Sequence, residues 1–199
     1  MRITPFLVAR SQLLTAIDLF FENRDPVSTQ ALSGNARELL ESLCRLRGVE
    51  PMTELLMRDH PGRPKRDIYK ALNLYRNCFK HLGDTEAERK DDQLRLVLFD
   101  DTKNEFLLYI CVEDYLRLRK KCPVVMQIFL AWFCALYVER LKAQEIGDIF
   151  LRAFPGIREM TRDQQKREAL AVLHKYKSDA NLLSHPDTEP HILPDDDSE

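Results

Sequence analysis

Four nitrogen-rich side chains fall within six positions of LYRNCFKHLG (residues 74–83): Arg76, Asn77, Lys80 and His81. A guanidinium is a planar fork of donors that matches a phosphate. An imidazole exchanges protons near neutral pH. An arginine and a histidine that reach one phosphodiester can hold its charge and move its protons. Asn77 could orient either partner or the phosphate. Just ahead lie His60, Arg63, Lys65 and Arg66, a local basic patch that with Lys80 could contact further phosphates.

The element that must position these residues reads as one helix from Pro64 to Gly83. On a wheel of 100° per residue, Asn73, Arg76, Asn77, Lys80 and His81 share one face, while Ile68, Leu72, Tyr75, Phe79 and Leu82 take the other. The apolar seam is expected to face a partner helix and the polar face to meet solvent. Lys80 and His81 would also complement the helix dipole in its last turn. A solvated helix end is therefore the plain alternative to an active site. In a continuous helix, Arg76 and His81 are separated by about 7.5 Å of rise and about 140° of rotation. They meet at one phosphate only if the helix unwinds near Lys80 or a second subunit supplies one of them.

Arg76, Asn77 and His81 in the pattern R-x4-H resemble the motif of the HEPN superfamily, all-α bundles that include many metal-independent ribonucleases. The resemblance implies a homodimer with a composite cleft at its interface. Arg76 would stabilise the phosphate charge, His81 would transfer protons as the RNA 2′-hydroxyl attacks phosphorus, and Asn77 would orient them. The spacing alone is common, and Arg167 with His174 provides a second Arg/His pair nearby in sequence. Residues from about 13 to 132 also resemble a group of bacterial proteins with "DP" after an "FF" helix end and an N-F-F-K-H-like element. Here these are Asp25-Pro26 and Asn77-Cys78-Phe79-Lys80-His81. That likeness implies a bundle and its boundaries, with no activity attached. The rival expectation is a non-catalytic helical interaction module without nucleic-acid chemistry. It would hold a protein partner through the apolar run Val124 to Val138 or through an acidic tail.

The chain of 199 residues, 44% hydrophobic and 31% charged with 6 Gly, has the composition of a helix-rich globular protein. Arg10 and Asp18 interrupt the apolar N-terminus, which is not a signal peptide. The run from Val124 to Val138 is 15 residues long and contains Gln127. Crossing a bilayer takes roughly 20, so no membrane is expected. The five cysteines are odd in number and, without a secretory signal, are expected as reduced thiols of a cytoplasmic protein. The net charge of −2 conceals seven acids and no Lys or Arg after Lys177.

Caps mark the remaining elements. Thr4-Pro5 opens a first helix and Asp25-Pro26 a second, which Gly48 closes near Arg47. A short turn spans 52–57. Residues 84–99 read as one long acidic and irregular connection. Thr102 to Glu105 (TKNE) and Thr161 to Gln164 (TRDQ) read as capping boxes. Pro123 starts the apolar helix, and a short helix covers about 145–153. The expectation is an all-α bundle of five to six helices. Its single domain is 1–178, with a core of about 4–138 and C-terminal helices over about 145–177, and 179–199 form a disordered acidic tail.

No P-loop, G-x-G-x-x-G or G-x-S-x-G is present, so no cofactor is expected. Cys78 and His81 are half a zinc site with no second half. Asp84, Glu86 and Glu88 begin like a calcium loop, but Arg89 stands where Gly is needed and Arg95 where Glu is needed. No metal is expected. Glu113 and Asp114 read as exposed and without a role.

Overall fold

The computed structural model describes residues 3–81, 83–141 and 144–193, the side chains of 144–146 excepted. Among them are eleven α-helices and no strand, so the chain is all-α with more helices than the sequence suggests. The surplus comes from short helices, where propensity and periodicity carry the least signal.

The first two helices fall where the sequence places them, while the expected turn over 52–57 is a helix. The Thr4 hydroxyl accepts from Leu7 N–H ahead of α1 (Pro5–Phe21), and the Asp25 carboxylate accepts from Val27 N–H ahead of α2 (Pro26–Leu46). Gly48 follows α2 at φ +67°, a left-handed position that glycine adopts without strain. The α3 helix (Met52–Asp59) has no side-chain cap of its own. Instead Asp114 of α7 (Thr102–Arg119) accepts from Met52 N–H at 2.6 Å.

The body of the fold packs α1, α2, α7, α8 (Val124–Leu136) and α10 (Arg162–Tyr176) round one core. The apolar α8 is central: Met126, Phe129, Trp132 and Ala135 are fully buried. Phe20 and Phe21 meet Trp132 edge to face, with ring centroids 5.5 and 5.6 Å apart. Most of the helix expected as a docking surface packs into the chain's own core, with Gln127, Leu130, Ala131 and Leu136 half-buried. Thr161 and Gln164 form the expected capping box of α10. TKNE does not form one: α7 is capped at Asp101, with Thr102 already in the helix and its N–H bonded to Asp100.

Three helices project from this body as an arm: α4 (Lys65–Leu72), α5 (Leu74–Lys80) and α6 (Glu86–Val97), none with a buried residue. Two corrections fall here. The expected single helix over 65–83 breaks at Asn73, whose side-chain oxygen accepts from Arg37 Nη2 at 2.7 Å. The expected irregular connection over 84–99 is mostly α6, opened by a reciprocal capping box between Thr85 and Glu88. Thr85 to Glu88 (TEAE) is a start signal legible in the sequence, and what obscured the helix is that its apolar residues cluster late, so no helical periodicity shows.

The acidic tail is the third correction. After α9 (Gln144–Ala153) and α10, Asp179 caps α11 (Ala180–Leu183), and residues 184–193 return across the body as a strap. Thr188 bridges Cys122, and the Glu189 N–H donates to the Cys122 carbonyl at 3.0 Å. Glu189 is 1% exposed and meets Arg10 at 3.3 Å and Arg119 at 3.1 Å, while the Tyr115 hydroxyl donates to it. A buried arginine in α1 needs a carboxylate, and this segment supplies it. The acidic run over 195–199 lies outside the described residues.

Among the described residues no helix is long and apolar enough to cross a membrane. Cys44, Cys111, Cys122 and Cys134 are buried free thiols, and Cys78 is half-buried.

Candidate functional site

The site begins with the ties that hold the arm to α2. Arg37 is 1% exposed and gives Nη1 to Glu41 at 2.5 Å and Nη2 to Asn73 at 2.7 Å. Glu41 also receives the Tyr69 hydroxyl and Arg45 Nη2 at 2.6 Å. Arg45 in turn reaches Glu54 of α3 at 3.2 Å. Residues of α2 spaced by four thus carry a polar seam that receives α4 and α5.

Arg76 belongs to this seam. Its Nη1 and Nη2 grip the two oxygens of Glu38 at 2.9 and 2.8 Å, and its Nε donates to Asn35 at 3.2 Å. The stem lies against Gly34: a Cβ built there would come within 2.8 Å of Arg76 Cδ. Glycine in the middle of α2 is what lets the arginine lie this close. A bidentate guanidinium–carboxylate pair is the strong form of an ion pair. The fork expected to hold a phosphate is filled by a carboxylate of the same chain.

The other candidates go elsewhere. Asn77, Lys80 and His81 are exposed, and among the described residues none of their side chains has a partner. His81 caps α5 with its backbone, donating N–H to the Asn77 carbonyl at 2.9 Å, and its own φ of −128° carries the chain out of the helix. The polar face of the helical wheel therefore splits: Asn73 and Arg76 turn to α2, while Asn77, Lys80 and His81 meet water. The apolar seam is split between α4 and α5, and Tyr75 and Phe79 each lie 4.9 Å from Phe99, just past α6, in an aromatic cluster, while Leu82 lies outside the described residues. Arg63, Lys65 and Arg66 are exposed, with Arg66 3.5 Å from Asp67 and Lys65 5.8 Å from the Tyr69 ring.

Among the described residues no group of three His, Cys, Asp or Glu side chains could hold a metal ion. Burial pushes the Cys78 thiol up, and its Sγ lies 3.5 Å from Asp92, so it is no ready nucleophile.

A buried carboxyl lies at a residue read as an exposed one without a role. Asp114 is 0% exposed, and burial raises its carboxyl to about 6, helped by the charge of Glu41 and opposed by the bond from Met52 N–H. One oxygen, Oδ2, is buried and unpartnered. Two signals could have found these buried polar groups. Arg10 stands inside an apolar helix stripe, and Asp114 follows Cys111 and precedes Tyr115 on the apolar side of α7.

No protein-family model, curated protein or solved structure matches this chain.

Proposed function

We propose that the chain is a non-catalytic helical interaction module that pairs with a second copy of itself through its arm. One observation carries this reading: α6 lies with its apolar face outward. Leu94, Val97 and Leu98 share one side of the helix and are 60%, 82% and 69% exposed. Asp92 and Arg95 sit on the other side and are half-buried, with Asp92 accepting from Cys78 of α5. A surface helix of a self-sufficient fold buries its apolar stripe and hydrates its charges. The reverse orientation marks a contact surface.

A second copy suits this surface because the arm carries both signs. Arg63, Lys65, Arg66 and Lys70 are exposed before and along α4, and Asp84, Glu86, Glu88 and Asp91 are exposed at the start of α6. Two arms can pair with opposite charges facing, which fixes orientation. The bidentate hold of Glu38 on Arg76 supports the non-catalytic part. Light scattering of the wild type and of Leu94→Asp/Val97→Asp tests the association. The wild type runs as a dimer, and the variant runs as a monomer with an unchanged helical circular-dichroism spectrum and a melting temperature that no longer depends on concentration. A monomeric wild type, or a variant still dimeric, overturns the proposal.

A second reading, HEPN-like RNA binding or cleavage at a homodimer, is supported by the exposure of Asn77, Lys80 and His81 and of Arg63, Lys65 and Arg66. It requires Arg76 to exchange Glu38 for a phosphate.

A further inference from the structure

A cleft of about 540 Å³ lies where the arm meets the body. Leu72 and Tyr75 come from the arm, and Phe106, Phe133 and Tyr137 from the body. Its volume falls in the range of small-molecule sites and is too small for an RNA helix.

The polar groups of the lining fall into two sets. Glu105 is settled, receiving the Tyr137 hydroxyl and pairing with Arg162 at 2.6 Å. Gln30 is not settled. It projects from α2, is 3% exposed, and its side-chain oxygen has no hydrogen-bond partner. A buried amide oxygen without a partner is an unmet demand for a donor, and a half-turn of the amide can turn that oxygen to the cleft. At the rim stand two exposed cations. Arg140 lies 5.2 Å over the Tyr137 ring and is paired with no carboxylate among the described residues. Lys103 reaches only the exposed Asp100, at 3.9 Å.

We infer that this cleft binds a small planar aromatic carboxylate bearing a ring N–H. The ring lies against the Tyr75, Phe106 and Tyr137 side chains, the N–H donates to the Gln30 carbonyl, and the carboxylate faces Arg140 and Lys103. Aromatic walls favour a flat ring. Arg140, with no carboxylate among the described residues, and Lys103, whose Asp100 partner is exposed and 3.9 Å away, favour an anion. The orphan amide oxygen adds the need for a donor. Because the walls come from both arm and body, occupancy also fastens one to the other.

Calorimetry on the full chain with indole-3-acetate as probe tests this. Binding is sub-millimolar, and indole-3-ethanol, which lacks the carboxylate, binds about tenfold more weakly. Blocking the ring nitrogen in 1-methylindole-3-acetate costs a similar factor in the wild type and nothing further in Gln30→Leu. Arg140→Ala weakens indole-3-acetate and flattens its salt dependence. Bound probe slows amide exchange in residues 65–80. Absence of binding at millimolar probe overturns the inference. So does equal affinity for the methylated and unmethylated acids in the wild type, a comparison that needs no variant to fold.

Discussion

Asp114→Asn should stabilise this protein at neutral pH, by an amount that follows from the buried carboxyl. The group titrates near 6 in the fold against 3.8 as its ordinary value. Between those two values the folded state holds a proton that the unfolded chain releases. Stability contributed by the group is therefore present at low pH and lost as pH rises through the folded value. At about 1.4 kcal/mol per unit, a shift of roughly two units costs about 3 kcal/mol above pH 7. Asparagine keeps the acceptor for Met52 N–H, bonded at 2.6 Å, and removes the charge. It gives up an anion near the α3 N-terminus, worth about 0.3–1 kcal/mol. The net gain at pH 7.5 should be about 2 kcal/mol, shrinking below about 1 kcal/mol near pH 4. Urea denaturation of both proteins from pH 4 to 8 measures it. A stability difference that does not change across that range would refute the buried-carboxylate argument, whatever its sign.

Three further outcomes follow from the same contacts. Glu189→Ala strands Arg10, 6% exposed, and should cost about 3–5 kcal/mol in denaturant unfolding. A loss below about 0.5 kcal/mol would show that the strap contributes nothing. Arg76→Ala should lower global stability by only about 1 kcal/mol, since Glu38 is 40% exposed, yet speed amide exchange throughout residues 65–97. Gly34→Ala drives a Cβ within 2.8 Å of Arg76 Cδ, so its helix-propensity gain of about 1 kcal/mol should be offset by displacement of that side chain. Faster exchange in the same arm segment would record the displacement.

What the sequence revealed was local. Asp25-Pro26, Thr4-Pro5 and TRDQ act through bonds two or three residues long, and each falls where the chain alone indicates. TKNE fails because Asp100, two residues ahead of Thr102, competes for its N–H and hydroxyl. The break at Asn73 was not legible, since it depends on Arg37, 36 positions away. The same holds for Arg76: its type and spacing suit a phosphate, and only the fold brings Glu38 and Asn35 to the same fork. The tail was misread because its acids are counted as solvated charge until Arg10 and Arg119 are seen to enclose Glu189.

The claim most open to direct test is that Arg76 holds the arm and performs no chemistry. Fluorescently labelled single-stranded and hairpin RNAs, incubated with the wild type and with His81→Ala, decide it. The account predicts intact RNA with both proteins. Cleavage by the wild type that His81→Ala abolishes at an unchanged melting temperature would contradict it.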